Sequence, residues 1–373
     1  PLPIWRNDAD PSRVVCVGSL AELGPYAGVD LSGLDPHRPY VDDVTFTLPG
    51  VDGVFRRVPE VIDVWYDSGA MPFAQWGYPH LPGSTEAFEG QYPAQYICEA
   101  LDQTRGWFYT LMAVGTLVFD RSSYENVLCL GLILAEDGRK MSKHLGNVLE
   151  PIPLMDDHGA DAVRWFMAAG GSPWLPRRVG HAAIGEVVRK VLLTYWNTAA
   201  FQSLYGRLAG WDLSVPAPAA AERPVLDRWV LSELNRLVEQ VDGAYERFDT
   251  ARVGSLLAAF VDDLSNWYVR RSRRRFWDGD PAALATLHTC LDTLTRLLAP
   301  MVPFVTEKVW QDLVRSVDDE AALSVHLAAF PEPDRALVDD DLAAQVALVR
   351  RLVELGRAAR AEAKVRTRQP LAR

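Results

Sequence analysis

Apolar and polar residues follow three rhythms along the 373-residue chain. Near the start, short β-branched or aromatic runs stand between Gly and Pro: VVCVG at 14–18, VTFTL at 44–48 and VFRRV at 54–58. That punctuation predicts short strands joined by turns, an irregular β-rich region. Further on, VIDVWYDSG (61–69) predicts a strand running into a turn, and AQYICEA (94–100) a second strand. TRGWFYTLMAVGTLVF (104–119) predicts a helix and ENVLCLGLIL (125–134) a buried strand. Strand, helix, strand is the cadence of a parallel sheet with covered faces. Ligands of such sheets sit beyond the carboxyl ends of the strands, where DSG and EALDQ fall.

After Val215–Ala221 (VPAPAAA), read as a Pro/Ala linker, the rhythm turns helical. Leu226, Trp229, Val230, Leu234, Leu237, Val238 and Val241 form one stripe of a helix opened by Pro224. Asp249 or Thr250 can cap a second helix continuing through Phe260, Leu264 and Trp267. Further helices are expected around 282–299, 301–316 and 340–364, giving a helical bundle. The fold class expected is therefore α/β followed by all-α.

Composition narrows the possibilities. Hydrophobic residues at 49% and charged residues at 23% fit a globular protein. The longest apolar run, 110–119, is half of what a bilayer span needs, so no membrane contact and a cytoplasmic location are expected. Cys16, Cys98, Cys129 and Cys290 form no CxxC pair, which predicts ordinary buried thiols and no metal, zinc included. The net charge of −11 is uneven: LSNWYVRRSRRRFW (264–277) holds five arginines and no acid. Residues 345–373 carry eight Lys/Arg against two Glu. Arg270, Arg271, Arg273, Arg274 and Arg275, interleaved with Trp267, Tyr268, Phe276 and Trp277, suit RNA phosphates and bases; a solvated helix face is the plainer alternative. Asp161 and Arg164, three apart on a helix, read as a surface ion pair.

The sharpest chemistry lies in GRKMSKHLGN (138–147). Two lysines three apart, on a polar loop between glycines, suit a polyphosphate whose charge grows at the transition state. The Walker spacing is absent.

KMSKHLGN closely resembles the KMSKS loop of class I aminoacyl-tRNA synthetases. The resemblance continues through PLPIW (1–5), DVWYDSG (63–69), YICEALDQTRGWF (96–108), GADAVRWF (159–166), SNWYVRRSRRRFW (265–277) and VRTRQPL (365–371), which look like the isoleucyl-tRNA synthetase family. It implies that Lys140 and Lys143 stabilise ATP phosphates during adenylate formation. Gly138, Met141, Ser142 and His144 would support the loop. Glu99, Asp102 and Gln103 would line the adenylate site, and Trp65 and Trp107 would shape the pocket for the substrate side chain. ATP with Mg2+, isoleucine and tRNA(Ile) are the implied substrates and partners, and the helical region would bind tRNA.

The resemblance also sets boundaries. It implies the end of a connective insertion at 1–60, the C-terminal half of a Rossmann-type catalytic domain at 61–135, the loop and stem-contact region at 136–180, and an incomplete helical anticodon-binding domain at 181–373. The family's HxGH element and editing domain have no counterpart here. The expectation is a piece of a larger enzyme, needing its N-terminal half and nearly inactive in adenylation alone. The alternatives are a valine enzyme, with a narrower pocket, and a truncated paralogue that binds tRNA without catalysis.

Overall fold

The computed structural model describes residues 1–371, and the side chain of Lys143 lies outside the described residues. The expectations for 372 and 373 lie outside them too. The chain forms two compact units, Pro1–Cys129 and Leu130–Arg373.

The first unit opens with β1 (Ile4–Asn7), β2 (Val14–Cys16), α1 (Leu20–Ala27), β3 (Thr45–Phe46) and β4 (Phe55–Arg57). These strands make an antiparallel sheet in the order β2-β1-β4-β3, with Trp5 opposite both Val15 and Arg57. The sequence pattern announces β2, β3 and β4 but not β1, one of the two inner strands. Four residues behind PLP carry too little alternation to announce a strand. Trp5, Leu23, Phe46 and Phe55 form its core, and the Trp5 indole donates to the Val44 carbonyl at 2.8 Å. The buried Arg57 guanidinium is held by Asp42 at 2.5 Å and by the carbonyls of Leu2 and Glu60.

Then follow α2 (Val64–Ala74), α3 (Ser84–Gln91), β5 (Ala94–Ala100), α4 (Trp107–Phe119) and β6 (Tyr124–Leu130). The segment 61–69, read as a strand, is instead the start of α2. Asp63 caps it by accepting from the Trp65 amide at 2.7 Å, and Asp67 sits in its positively polarised first turn. Gly69 lets α2 lie against α4: a Cβ there would stand 2.7 Å from the Thr110 carbonyl oxygen. β5 and β6 pair as a two-stranded sheet with α4 as the crossover. Phe73, Tyr78, Phe88, Tyr92 and Phe119 fill the space beside α4 with ring contacts of 4.5–5.9 Å.

The second unit begins with β7 (Ile133–Leu134), α5 (Pro151–His158), α6 (Ala160–Ala169) and β8 (Arg177–Arg178), β7 and β8 being parallel. Helices α7 (His181–Val187), α8 (Leu193–Ala209), α9 (Val225–Tyr245), α10 (Thr250–Asp262), α11 (Arg270–Trp277), α12 (Pro281–Leu298), α13 (Pro303–Val309) and α14 (Asp340–Glu362) form the bundle. Asp249, Asp280 and Asp339 cap α10, α12 and α14 through their carboxylates. π-turns at 188–192, 263–269 and 310–314 interrupt the helical runs. One large core, with Tyr195, Leu257, Tyr268, Leu287, Leu291 and Leu294 all at most 1% exposed, binds the bundle together.

Three further expectations are corrected. Asp161 and Arg164 do not pair: the buried Asp161 carboxylate accepts from the amides of Phe304 (3.3 Å) and Val305 (2.7 Å), capping α13. Arg164 donates to the carbonyls of Met301 and Pro300, so both residues of α6 hold the α12–α13 turn. The Pro/Ala stretch is strapped down, with Val215 and Ala220 on the bundle core and Arg223 bonded to Pro218 O and Thr286 Oγ1. Of the cysteines only Cys290 is buried; Cys98 and Cys129, on the two-stranded sheet, are half-buried and Cys16 is exposed.

Candidate active site

The site residues fall in two groups, one in each unit. In the second unit, the strand β7 leads into a tight turn closed by Ala135 N to Arg139 O (2.9 Å) and Gly138 N to Ala135 O (2.8 Å). Gly138 has φ +83°, a left-handed conformation that favours glycine. Arg139 pairs with Asp137, whose carboxyl is held below its usual range by hydrogen bonds from the Arg139 amide and guanidinium.

Lys140 follows, exposed and without an ion-pair partner among the described residues. Met141 packs partly against Leu154, Phe166, Val179 and Ile184, anchoring the loop to α5, α6 and α7. Asn147 then reaches back across the loop: its Oδ1 accepts from the Ser142 amide at 2.8 Å and its Nδ2 donates to the Lys140 carbonyl at 3.2 Å. Lys143 and the exposed His144 lie in the short 3-10 turn between these anchors, and Gly146 leaves it at φ +62°. The result is a pinned backbone that presents Lys140 outward. The motif text assigns Asn147 no role; its local cue is an asparagine closing a glycine-flanked turn, where its amide bonds backbone readily.

In the first unit, Glu99 is exposed near the end of β5, and Asp102 and Gln103 lie on the 3-10 turn that leads to α4. Gln103 Oε1 caps α4 by accepting from the Trp107 amide at 2.9 Å, and the Trp107 indole donates to the Ser68 carbonyl at 3.1 Å. Gly106 sits between: a Cβ on it would fall 2.6 Å from Gln103 Oε1 and 3.0 Å from the Trp65 ring. The α2 start and the β5–α4 turn thus bring Trp65, Gln103 and Trp107 to one place. Trp65 remains 45% exposed, as half of an open wall rather than core. Among the described residues no group of three ligating side chains is placed to hold a metal ion.

The arginine cluster splits. Arg270, Arg271, Arg273 and Arg274 are exposed on α11, with Trp277 63% exposed at its end. Arg271 covers the Trp267 ring at 4.7 Å, and Arg350 of α14 lies 5.4 Å from the same ring. Arg275 departs from the expected RNA role. Its guanidinium grips the fully buried Asp227 at 2.5 and 2.8 Å and Asp280 at 2.7 Å, while the Tyr268 hydroxyl donates to Asp227 at 3.0 Å. A buried carboxylate without that partner would be very costly, so Arg275 is a structural lock. Asp227 lay on the apolar stripe at i, i+3, i+4, i+7 with Val230, Leu231 and Leu234, which was its signal in the sequence.

Comparison with known proteins gives the family. Residues 1–174 match the family of class I tRNA synthetases (I, L, M and V), and residues 227–373 match the anticodon-binding domain of tRNA ligases. The chain belongs to the class I tRNA synthetases. Within that class it is 68% identical to the isoleucine–tRNA ligase of Streptomyces avermitilis over 375 residues, covering all of this chain and 35% of that protein. The isoleucine–tRNA ligases of Cutibacterium acnes (62%) and Deinococcus radiodurans (48%) also match over the whole chain, which covers 36% and 34% of them. The chain thus spans about a third of the length of the curated relatives it matches. In fold it is similar to LeuRS of Agrobacterium radiobacter, solved in a ternary complex with tRNA and LeuAMS, with a TM-score of 0.67, 18% identity and coverage of 91% of this chain and 41% of that one. A second likeness is to Mycobacterium tuberculosis methionyl-tRNA synthetase in complex with methionyl-adenylate, TM-score 0.56 at 20% identity, covering 74% of this chain and 58% of that one.

Proposed function

We propose that this chain is the part of an isoleucine–tRNA ligase that carries the phosphate-stabilising loop, one wall of the adenylate site and a tRNA-binding helical bundle. The observation that carries the reading is the loop 138–147. Its backbone is pinned by Asn147 and Met141 while Lys140 stands free in solvent. An exposed ammonium on a fixed loop stabilises charge that develops on a leaving pyrophosphate at little reorganisation cost.

In this reading the isoleucine carboxylate attacks the α-phosphorus of ATP, the α–β bridging bond breaks, and isoleucyl-adenylate and pyrophosphate result. The terminal ribose hydroxyl of tRNA(Ile) then displaces AMP. Lys140 and Lys143 offset the phosphate charge; magnesium travels with the nucleotide's phosphates, the usual way that ion is bound. Glu99 and Asp102 face the polar part of the adenylate, and Trp65 and Trp107 bound the side-chain pocket. The exposed arginines of α11 contact tRNA phosphates. No covalent protein intermediate is required.

A segment exchange tests this. This chain replaces the matching 375 residues of the Streptomyces avermitilis ligase, and amino-acid-dependent ATP–pyrophosphate exchange is measured. Isoleucine-dependent exchange supports the reading. Exchange that prefers valine moves it to the valine enzyme. A folded hybrid that binds tRNA and activates neither amino acid defeats the catalytic assignment.

A further inference from the structure

Strand β8 carries two adjacent arginines with different surroundings. Arg177 turns inward: its guanidinium donates to the carbonyls of Phe166 (2.9 Å), Met167 (2.6 Å) and Gly171 (3.1 Å) and closes the end of α6. Arg178 is exposed, and its guanidinium has no hydrogen bond or ion pair among the described residues. Strand pairing places it. Leu134 of β7 stands opposite Arg178 in the parallel ladder and opposite Lys140 in an antiparallel bridge. Residues opposite one another across a ladder share a face, and neighbours along a strand alternate, so Lys140 and Arg178 flank Leu134 on one side. The residues that follow them agree. Met141 and Val179 both pack on the other side, in the core with Leu154, Phe166 and Ile184.

The Cα atoms of Lys140 and Arg178 are two strand spacings apart, about 10 Å. The Arg178 guanidinium leans over the turn that leads into Lys140: its Nε, Cζ and Nη2 stand 2.9, 3.0 and 3.0 Å from where a Cβ on Gly138 would be. Neighbouring acids do not take it up. Asp137 on that turn bonds Arg139 at 2.7 Å, and its carboxyl is lowered first by the hydrogen bonds from Arg139 and last by the charge of Arg178. Glu136 lies against Gly180, where a Cβ would stand 2.7 Å from its carboxyl carbon. A guanidinium without an acid, beside an ammonium on the same face, offers a planar fork to an anion with several oxygens. We propose that Arg178 contacts the triphosphate of ATP together with Lys140. It stabilises the charge that passes to the leaving pyrophosphate when the α–β bridging bond breaks. This rests on the loop's proposed function.

Kinetics of the Streptomyces avermitilis hybrid test it. Arg178→Ala should lower kcat for isoleucine-dependent ATP–pyrophosphate exchange about 10–100-fold, the loss expected for one charged hydrogen-bonding partner. The KM for pyrophosphate should rise, and the KM for isoleucine should stay. Arg178→Lys, which keeps the charge, should recover most of the loss, and Arg178→Gln should not. Unaltered kinetics in Arg178→Ala, or glutamine serving as well as lysine, overturns the inference. So does a loss that comes with an equal rise in the KM for isoleucine and a lower thermal midpoint, which would make Arg178 a prop of the turn. If Lys140→Ala slows exchange and Arg178→Ala does not, this inference falls and the proposed function stands. If the unaltered hybrid activates no amino acid, the proposed function falls, and titration of the 373-residue chain with inorganic pyrophosphate decides for Arg178. Saturable binding that Arg178→Ala weakens about tenfold supports the contact; binding that is absent, or indifferent to the substitution, overturns it.

Discussion

The two units each bury a charged lock, but they differ in what surrounds it. In the second unit Asp227, buried to the last atom, is held by Arg275 and Tyr268 inside one continuous core that runs through eight helices. In the first unit Arg57 is held by Asp42 and two carbonyls beside a core of a few large side chains. Its other half leaves Val64, Trp65, Tyr66, Tyr96, Leu101, Tyr109, Leu117 and Val127 exposed along α2, β5, α4 and β6. The bundle stands on packing. The first unit leaves these side chains uncovered, and exposed apolar patches of this kind mark surfaces that another element or a ligand covers.

The largest effect expected from this contrast is at Asp227. Asp227→Ala strands the Arg275 guanidinium and should cost the bundle about 3–5 kcal/mol, read from the urea midpoint of the helical signal. If the change is below about 1 kcal/mol, the lock is not what fixes α9 to α11. Next comes the cap between α6 and the α12–α13 turn: Asp161→Ala should cost about 1–2 kcal/mol, with Arg164→Ala costing less, because Asp161 is buried while Arg164 lies at the surface.

A pH scan should then separate the units. His288 is buried in the bundle with its proton affinity lowered by desolvation. The unfolded chain therefore binds that proton more readily, and stability is present above the ordinary imidazole value of 6.5 and falls as pH drops below it. His288→Phe should flatten that part of the bundle's profile, and a profile unchanged by the substitution would count against the assignment. The smallest expected effect on stability comes from the exposed arginines. The double replacement Arg270→Ala and Arg273→Ala should leave thermal unfolding unchanged while lowering the salt slope of tRNA binding by about 2.

The same contrast explains what could be read from the sequence. Several bundle helices were legible from a 3.6-residue stripe or a capping aspartate: the stripe from Leu226 to Val241, the Asp249 cap, and the run that became α12 all lie close to where they were expected. The loop with its two lysines was legible as text, since its letters are specific. The start of α2 was not. VIDVWY alternates like a strand, and only the Asp63 cap and the contact of Gly69 with α4 make it helical. Side-chain partnerships between distant segments were equally silent. Arg275 is one arginine among five in the sequence, and burial beside Asp227, 48 positions away, is what sets it apart. Asp161 and Arg164 offered a local pairing at the right spacing, and tertiary contacts with the turn at 300–305 outbid it.

The central claim is that the loop 138–147 supplies positive charge to a phosphate leaving group. It is tested most directly by pyrophosphate-exchange kinetics in the Streptomyces avermitilis hybrid, comparing Lys140→Ala and Lys143→Ala with the unaltered segment. The account predicts a fall in kcat of about 10²–10³ for at least one of them, with the KM for isoleucine little changed. Unchanged kcat in both variants, or a loss confined to the KM for isoleucine, would contradict it.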